Sequence, residues 1–377
     1  MGRGANQTRM NPLDIVLFLI GLVLLVVGAE GLVRGATRLG RLAGLSPLVV
    51  GLTIVSFATT APEASVSIVA SAQGRSGLAV GNVLGSNIFN ILVVAGAAAT
   101  IIAIPVTNIT IRKDLPMLII GTGVVYLFAL DKSIVAWEGA ILLIALAGFI
   151  TFSVMQSRRT SRATREAMVE RTRRAALIEM GGGLVLAGVG ATLLILGSRL
   201  FVDSASGIAS ALGVSELIIG LTIVSMGTSA PELTTSIVAA LRKQPELAIG
   251  NAVGASVINM LGVIGGSALI AGGGLAVPED SIRLDFPIAL SVGLVVLSIA
   301  ILGGKAGRRD GIFMLGFYAL YLTALIAISF SASLLTPASI VALGFVLPAS
   351  VIAAAFLVIR SRRSKTGPAL DIPFVDR

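Results

Sequence analysis

Residues 51–63 read Gly-Leu-Thr-Ile-Val-Ser-Phe-Ala-Thr-Thr-Ala-Pro-Glu, and residues 220–232 repeat them with changes only at Phe57/Met226, Ala58/Gly227 and Thr60/Ser229. The match continues without a gap through Gly81-Asn82 and Gly250-Asn251, Gly85 and Gly254, and Asn90 and Asn259, all at one offset (232 − 63 = 250 − 81 = 259 − 90 = 169). Each copy places one carboxylate, Glu63 or Glu232, in a run apolar enough to cross a bilayer. A charge at that depth costs about 2.5–3.5 kcal/mol on insertion scales, so such residues mark function by default. A duplicated segment with a buried charge restricts the fold more than any other feature of the chain.

The surroundings of the repeat are those of a membrane protein: 55% of residues are hydrophobic, 12% are charged and the mean hydropathy is +0.99. The apolar runs are long and continuous, without the ten-residue alternation of outer-membrane strands, so the fold class is all-α integral membrane. Eleven spans are expected, at about 14–34, 47–72, 78–103, 115–131 and 134–156, then 178–204, 214–241, 245–272, 284–303 and 310–332, then 337–360. The polar start, Met1 to Asp14, leads into a retained first helix.

Alternating sides along these spans sort Lys and Arg unevenly. Of 28, only Arg3, Arg9, Arg75, Lys132, Arg199 and Arg283 fall on one side. That bias puts the N-terminus outside and the central loop and C-terminus in the cytoplasm of a multi-pass plasma-membrane protein. Five spans lie between matched positions, and five is odd, so the second copy enters from the opposite face: an inverted repeat of five plus five helices with one extra C-terminal helix. The expected organisation is a first repeat over 1–157, a basic cytoplasmic loop over 158–177, the inverted repeat over 178–333, and the extra helix and tail over 334–377. The net charge of +9 reflects these loops, not a nucleic-acid surface. The bilayer is the expected partner, and no obligate protein partner is evident.

The chemistry is narrowed by what is missing. With no Cys and no His, disulfides, thiolate and imidazole metal ligands and the corresponding nucleophiles are excluded. What remains is oxygen. On a helix Ser56, Thr59, Thr60, Glu63 and Ser67 fall at i, i+3, i+4, i+7 and i+11, and Ser225, Thr228, Ser229, Glu232 and Ser236 repeat that stripe. Pro62 and Pro231 lack the N–H that would bond the carbonyls of Ala58 and Gly227, so each helix should bend just before its glutamate and leave those carbonyls unpaired. The next helix of each repeat adds Asn82, Ser86 and Asn90, or Asn251, Ala255 and Asn259, at i, i+4 and i+8. Hydroxyl, carboxamide, carbonyl and carboxylate oxygens without nitrogen or sulfur suit a hard cation such as Ca²⁺. Two carboxylates match one divalent or two monovalent ions in charge.

No Lys or Arg lies in either glutamate-bearing span, so an internal ion pair does not account for Glu63 and Glu232. Asn90 and Asn259 have interhelical hydrogen bonding as a competing role, and the hydroxyls have bonding to their own helix. Asn82 and Asn251, nearer the helix start, fit packing or capping as well as ion contact. Glu30 with Arg34, and Arg199 with Asp203, are expected interfacial pairs.

Two Gly-Thr-Ser-x-Pro-Glu-like motifs, each followed by a Gly-Asn-x-x-Gly-Ser-Asn-like motif, resemble the α-repeats of the sodium/calcium exchangers in the calcium/cation antiporter superfamily. The resemblance implies a ten-helix core with long, sliding first and sixth helices and cation sites among the second, third, seventh and eighth. It implies as ligands the side chains of Thr59, Thr60, Glu63, Ser86 and Asn90, those of Thr228, Ser229, Glu232 and Asn259, and the carbonyls of Ser56 and Ser225. The second repeat departs from the pattern: Ala255 lacks the hydroxyl expected there, and Asn259 stands where many prokaryotic members carry Asp.

The expected function is exchange of Ca²⁺ for Na⁺ by alternating access, with no cofactor beyond the transported ions and no enzymatic activity. Ca²⁺/H⁺ exchange is the alternative. A channel ranks lower because channels usually assemble their rings from several subunits. An intramembrane hydrolase ranks last for want of a nucleophile and base.

Overall fold

The computed structural model describes residues 12–105, 110–165, 173–212, 223, 225–303 and 305–330. The expected eleventh span and tail and residues 166–172 of the basic segment lie outside them. Among the described residues seven helices are long and apolar enough to cross a membrane, or eight when one bent pair is counted as a span.

In chain order the helices are α1 Pro12–Ala43, α2 Pro47–Thr59, α3 Ala61–Ala72, α4 Ser76–Ile101, α5 Leu115–Ala129 and α6 Ala136–Arg165. The second half follows with α7 Arg173–Ala211, α8 Ser225–Thr228, α9 Ala230–Leu241, α10 Pro245–Ile270, α11 Phe286–Gly303 and α12 Arg308–Phe330. The helices α2 and α3 form the bent pair, meeting at 50°, and α8 and α9 repeat it. The element order of the second half thus follows that of the first.

Four two-residue strands record the inverted symmetry. Ile104–Pro105 pairs antiparallel with Lys305–Ala306, and Ser133–Ile134 pairs antiparallel with Leu275–Ala276. Each pair joins one strand from each repeat. The second pair is fastened by Lys132, whose ammonium donates to Glu279 at 3.0 Å, and Arg283 also bonds Glu279. Lys132 and Arg283 belong to the six residues assigned outside, whereas Lys305 of the other strand pair lies on the cytoplasmic side of the charge count.

The burial pattern sorts the helices into layers. Both α4 and α10 are mostly enclosed, while Val23 of α1, Ile144 of α6 and Val185 of α7 are exposed, as side chains facing lipid must be. The pair α1 and α7 forms the outer wall. It runs antiparallel in close contact because a glycine ladder repeats every seven residues: Gly21 faces Gly197, Gly28 faces Gly190 and Gly35 faces Gly183. A Cβ on Gly28 would lie 2.8 Å from the Gly190 carbonyl oxygen, so only glycine permits the approach.

Both wall helices exceed their expected spans. At about 1.5 Å per residue the 32 residues of α1 reach about 48 Å, well beyond a hydrocarbon core of about 30 Å. Helix α6 runs on to Arg165 and α7 starts at Arg173, so most of the expected basic loop is helical backbone. That stretch is rich in Arg and Ala, which favour helix in water as they do in lipid. At the same end Glu30 and Arg34 of α1 form the expected pair, and Arg242 after α9 joins it on Glu30.

Candidate functional site

The site sits where the two bent pairs cross. Pro62 and Pro231 each occupy the first turn of a new helix, α3 or α9, and the residue before that helix leaves regular helical geometry: Thr60 has φ −74° and ψ −3°, Ser229 φ −90° and ψ 8°. Glu63 and Glu232 fall in these first turns, where the helix dipole favours a carboxylate. Both are fully buried. The sequence predicts the bend, and the structure adds that the residues at the break reach across the symmetry axis. The Ser229 hydroxyl lies 2.9 Å from Glu63 Oε1, and the Thr60 hydroxyl lies 3.3 Å from Glu232 Oε1. Each glutamate thus takes its hydroxyl partner from the other repeat. Ser86 extends one of these contacts, its Oγ lying 3.1 Å from that of Ser229.

Asn90 and Asn259 mark a second irregularity. In both inner helices the backbone opens into a π-helical stretch, Asn90–Val94 within α4 and Ile258–Val263 within α10, a deviation often found at functional sites. The stretch that begins at Asn90 packs against α9, which carries Glu232; the stretch holding Asn259 packs against α3, which carries Glu63. The arrangement is again crossed. Both asparagines are fully buried, and neither amide has a partner among the described residues. The second oxygens of the glutamates, Glu63 Oε2 and Glu232 Oε2, are likewise buried and unpartnered among those residues. Leaving a buried polar atom unsatisfied costs about 1–3 kcal/mol, more when it is charged. Four acceptor oxygens left open in one crossing therefore suit a cation that would fill them.

Other sequence-singled residues have structural duties. Asn82 donates to the Glu63 carbonyl at 3.3 Å and to Ser67 at 2.9 Å, and Asn251 donates to the Glu232 carbonyl at 3.2 Å and to Ser236 at 3.0 Å. These asparagines fix the backbone that carries each glutamate. Asn251 also accepts from the Thr59 hydroxyl at 3.2 Å, tying the first repeat to the second. The separation is the same in both repeats (82 − 63 = 251 − 232 = 19), so the two pairings are symmetry mates.

The Ser56 hydroxyl donates to the carbonyls of Gly51 and Asn251, while its own carbonyl accepts from the Thr60 N–H at 2.9 Å and the Thr59 hydroxyl at 3.3 Å. Thr228 is buried, and Ser225 opens α8. One expectation fails: the Gly227 carbonyl is not unpaired, because Ser198 of α7 donates to it at 2.6 Å. Nothing in the sequence around Pro231 signals that a hydroxyl from a helix some thirty residues earlier fills the gap. Close approach of Gly250 and Gly254 to the first repeat is seen at Leu48 and Leu52. Gly81 has no described atom within 4 Å, and Gly220, the symmetry mate of the Gly51 that Gly250 meets, is outside the described residues.

A family model described as sodium/calcium exchanger protein matches residues 13–155 and 182–327, the two halves that build this crossing. The chain belongs to the sodium/calcium exchanger family. Among relatives, the sodium/calcium exchanger MaX1 of Methanosarcina acetivorans is 27% identical over 84% of this chain and 99% of its own, and the inner membrane protein YrbG of Escherichia coli is 32% identical over 83% and 97%. The solved structure of the sodium-calcium exchanger NCX_Mj superposes with a TM-score of 0.72 at 28% identity, covering 84% of this chain and 99% of that one. Membership of the exchanger family accounts for the inverted architecture. Against that background two positions stand out, both in the second repeat: Ala255, fully buried where its mate Ser86 contacts Ser229, and Asn259, a neutral amide.

Proposed function

We propose that this chain is a secondary antiporter that carries Ca²⁺ out of the cell in exchange for Na⁺ by alternating access. The observation that carries the proposal is the set of buried, unpartnered oxygens on Glu63, Glu232, Asn90 and Asn259, drawn equally from the two repeats. The hydroxyls of Thr59, Thr60, Ser86, Thr228 and Ser229 and the carbonyls of Ser56 and Ser225 complete the proposed ligand set. Glu63 and Glu232 bind the competing ions in turn. With the site empty, two carboxylates would face each other in a low-dielectric interior, so the protein reorients only when loaded. That restriction couples the two fluxes. The glycine-laddered pair of α1 and α7 moves as one wall against the core and exposes the site to either face. The N-terminus lies outside a plasma membrane and the C-terminus in the cytoplasm, following the charge bias.

Ca²⁺/H⁺ exchange is the second reading. It is favoured by one feature: Glu63 Oε2 and Glu232 Oε2 have no described partner and could each carry a proton while Oε1 keeps its hydroxyl. Ca²⁺ flux in proteoliposomes under imposed Na⁺ or H⁺ gradients decides. Uptake driven by Na⁺ and indifferent to the pH gradient supports the proposal. Uptake driven by H⁺ alone replaces it with the second reading, and flux without any counter-ion points to a channel.

A further inference from the structure

We infer that Glu30 and Arg242 form a latch that holds the wall of α1 and α7 against the core at the cytoplasmic end, and that it opens in the opposite half of the cycle, when Arg75 engages Asp203 and Ser206 at the outer end instead. The inference rests on the reading that the wall moves against the core, and the two ends are named from the charge bias.

Side-chain contacts tie α1 to the turn between α9 and α10. Arg242 Nε donates to Glu30 Oε2 at 2.6 Å, its guanidinium also pairs with Glu30 Oε1, and the Thr37 hydroxyl lies 3.2 Å from Gln244 Oε1. Glu30 and Thr37 are seven residues apart, two turns along one face of α1, so both meet the same turn. Both members of the ion pair are partly exposed, which makes the contact moderate in strength and reversible, as a latch must be.

The inverted repeat supplies a counterpart at the other end. At the offset of the repeat Arg34 corresponds to Asp203, Thr37 to Ser206 and Gln244 to Arg75 (203 − 34 = 206 − 37 = 244 − 75 = 169). Asp203 and Ser206 stand one turn apart on α7, and Arg75 lies in the turn between α3 and α4. Acid, hydroxyl and arginine are thus present there too, but they are disengaged. Arg75 and Asp203 are exposed and enter no ion pair among the described residues, and the Arg199 pairing expected for Asp203 is not formed. Ser206 Oγ is buried and has no partner among those residues, although its mate Thr37 is engaged. A buried hydroxyl left open where its symmetry mate is bonded marks a contact of another state.

Backbone packing gives the same asymmetry independently of these side chains. Helix α1 lies along α9, whereas the equivalent pair, α7 and α3, do not pack along one another among the described residues. The wall is closed onto the core at the latched end and apart from it at the other, an outward-facing arrangement.

The chain has no Cys, so introduced pairs can be cross-linked without background. Two doubles are made, Thr37→Cys with Gln244→Cys and Arg75→Cys with Ser206→Cys, and oxidised with copper phenanthroline in proteoliposomes. Each pair is expected to bridge, each bridge to stop Ca²⁺ exchange, and a reductant to restore it. With all four cysteines present, a molecule is expected to close one pair or the other. Molecules holding both bridges, an outer pair that never bridges, or full exchange with a bridge in place would overturn the inference. The latch itself is read from the outer double: adding Arg242→Gln or Glu30→Gln is expected to speed its bridging about fivefold, and the charge swap Glu30→Arg with Arg242→Glu to return it towards the starting rate. An unchanged rate in both single variants would remove the latch. Bridging needs no transport, so a native chain that moves no Ca²⁺ under any gradient would defeat the exchange reading while the cross-links still decide this one.

Discussion

Replacing Asn251 with Ala tests how the glutamates are held. The amide makes three hydrogen bonds in a fully buried position, donating to the Glu232 carbonyl and Ser236 and accepting from Thr59. At about 1 kcal/mol each, and with the abandoned partners left dry, the loss comes to about 3 kcal/mol. The symmetry mate Asn82 makes two such bonds, to the Glu63 carbonyl and Ser67, and is only partly buried. With one bond fewer and a less enclosed position, Asn82→Ala is expected to cost about 1–2 kcal/mol. Reversible unfolding in mixed micelles, followed by Trp137 fluorescence or circular dichroism, gives both numbers on one scale. The expected order is a clearly larger loss for Asn251→Ala. Equal losses, or a larger one for Asn82→Ala, would refute the assignment of Asn251 as the tie between repeats.

Gly28→Leu should force the wall helices apart, because even a Cβ there meets the Gly190 carbonyl oxygen at 2.8 Å; exchange is expected to fall by at least tenfold in flux assays while Ca²⁺ binding persists. Hydrogen bonding from Lys132 and the nearby Arg283 guanidinium hold the exposed Glu279 carboxyl below its ordinary value. A depressed carboxylate stabilises the fold above its unfolded value near 4.3 and loses that contribution as pH falls through the lower folded value. Proteolysis of the 272–283 loop should therefore rise only in acid for the native chain, and at higher pH for Lys132→Ala.

Much of this organisation was readable from the residues because it depends on repetition and on hydropathy. The 169-residue offset and the alternating placement of Lys and Arg give an inverted repeat without any contact information, and the proline before each glutamate gives the bend. What escaped was decided by neighbours distant in sequence. Ser198 looks like any helical serine until the Gly227 carbonyl is placed against it. The exchange of hydroxyls between Thr60 and Ser229 depends on the relative position of two halves, which periodicity within one helix cannot report. The π-helical stretches at Asn90 and Asn259 have no composition of their own; they arise where packing favours an opened turn. The excess length of α1 and α7 was hidden because hydropathy measures the part of a helix in lipid and is silent on the part that continues into water.

Equilibrium binding of radioactive Ca²⁺ to purified protein, compared among the native chain, Glu63→Gln and Glu232→Gln, reaches the central claim most directly. Both substitutions keep the side-chain volume and remove one of the two charges that define the crossing. One Ca²⁺ per native chain is expected, with binding reduced by at least a hundredfold, about 2.7 kcal/mol, in either variant. Native-like affinity in either folded variant would contradict the assignment of a single two-carboxylate site shared between the repeats.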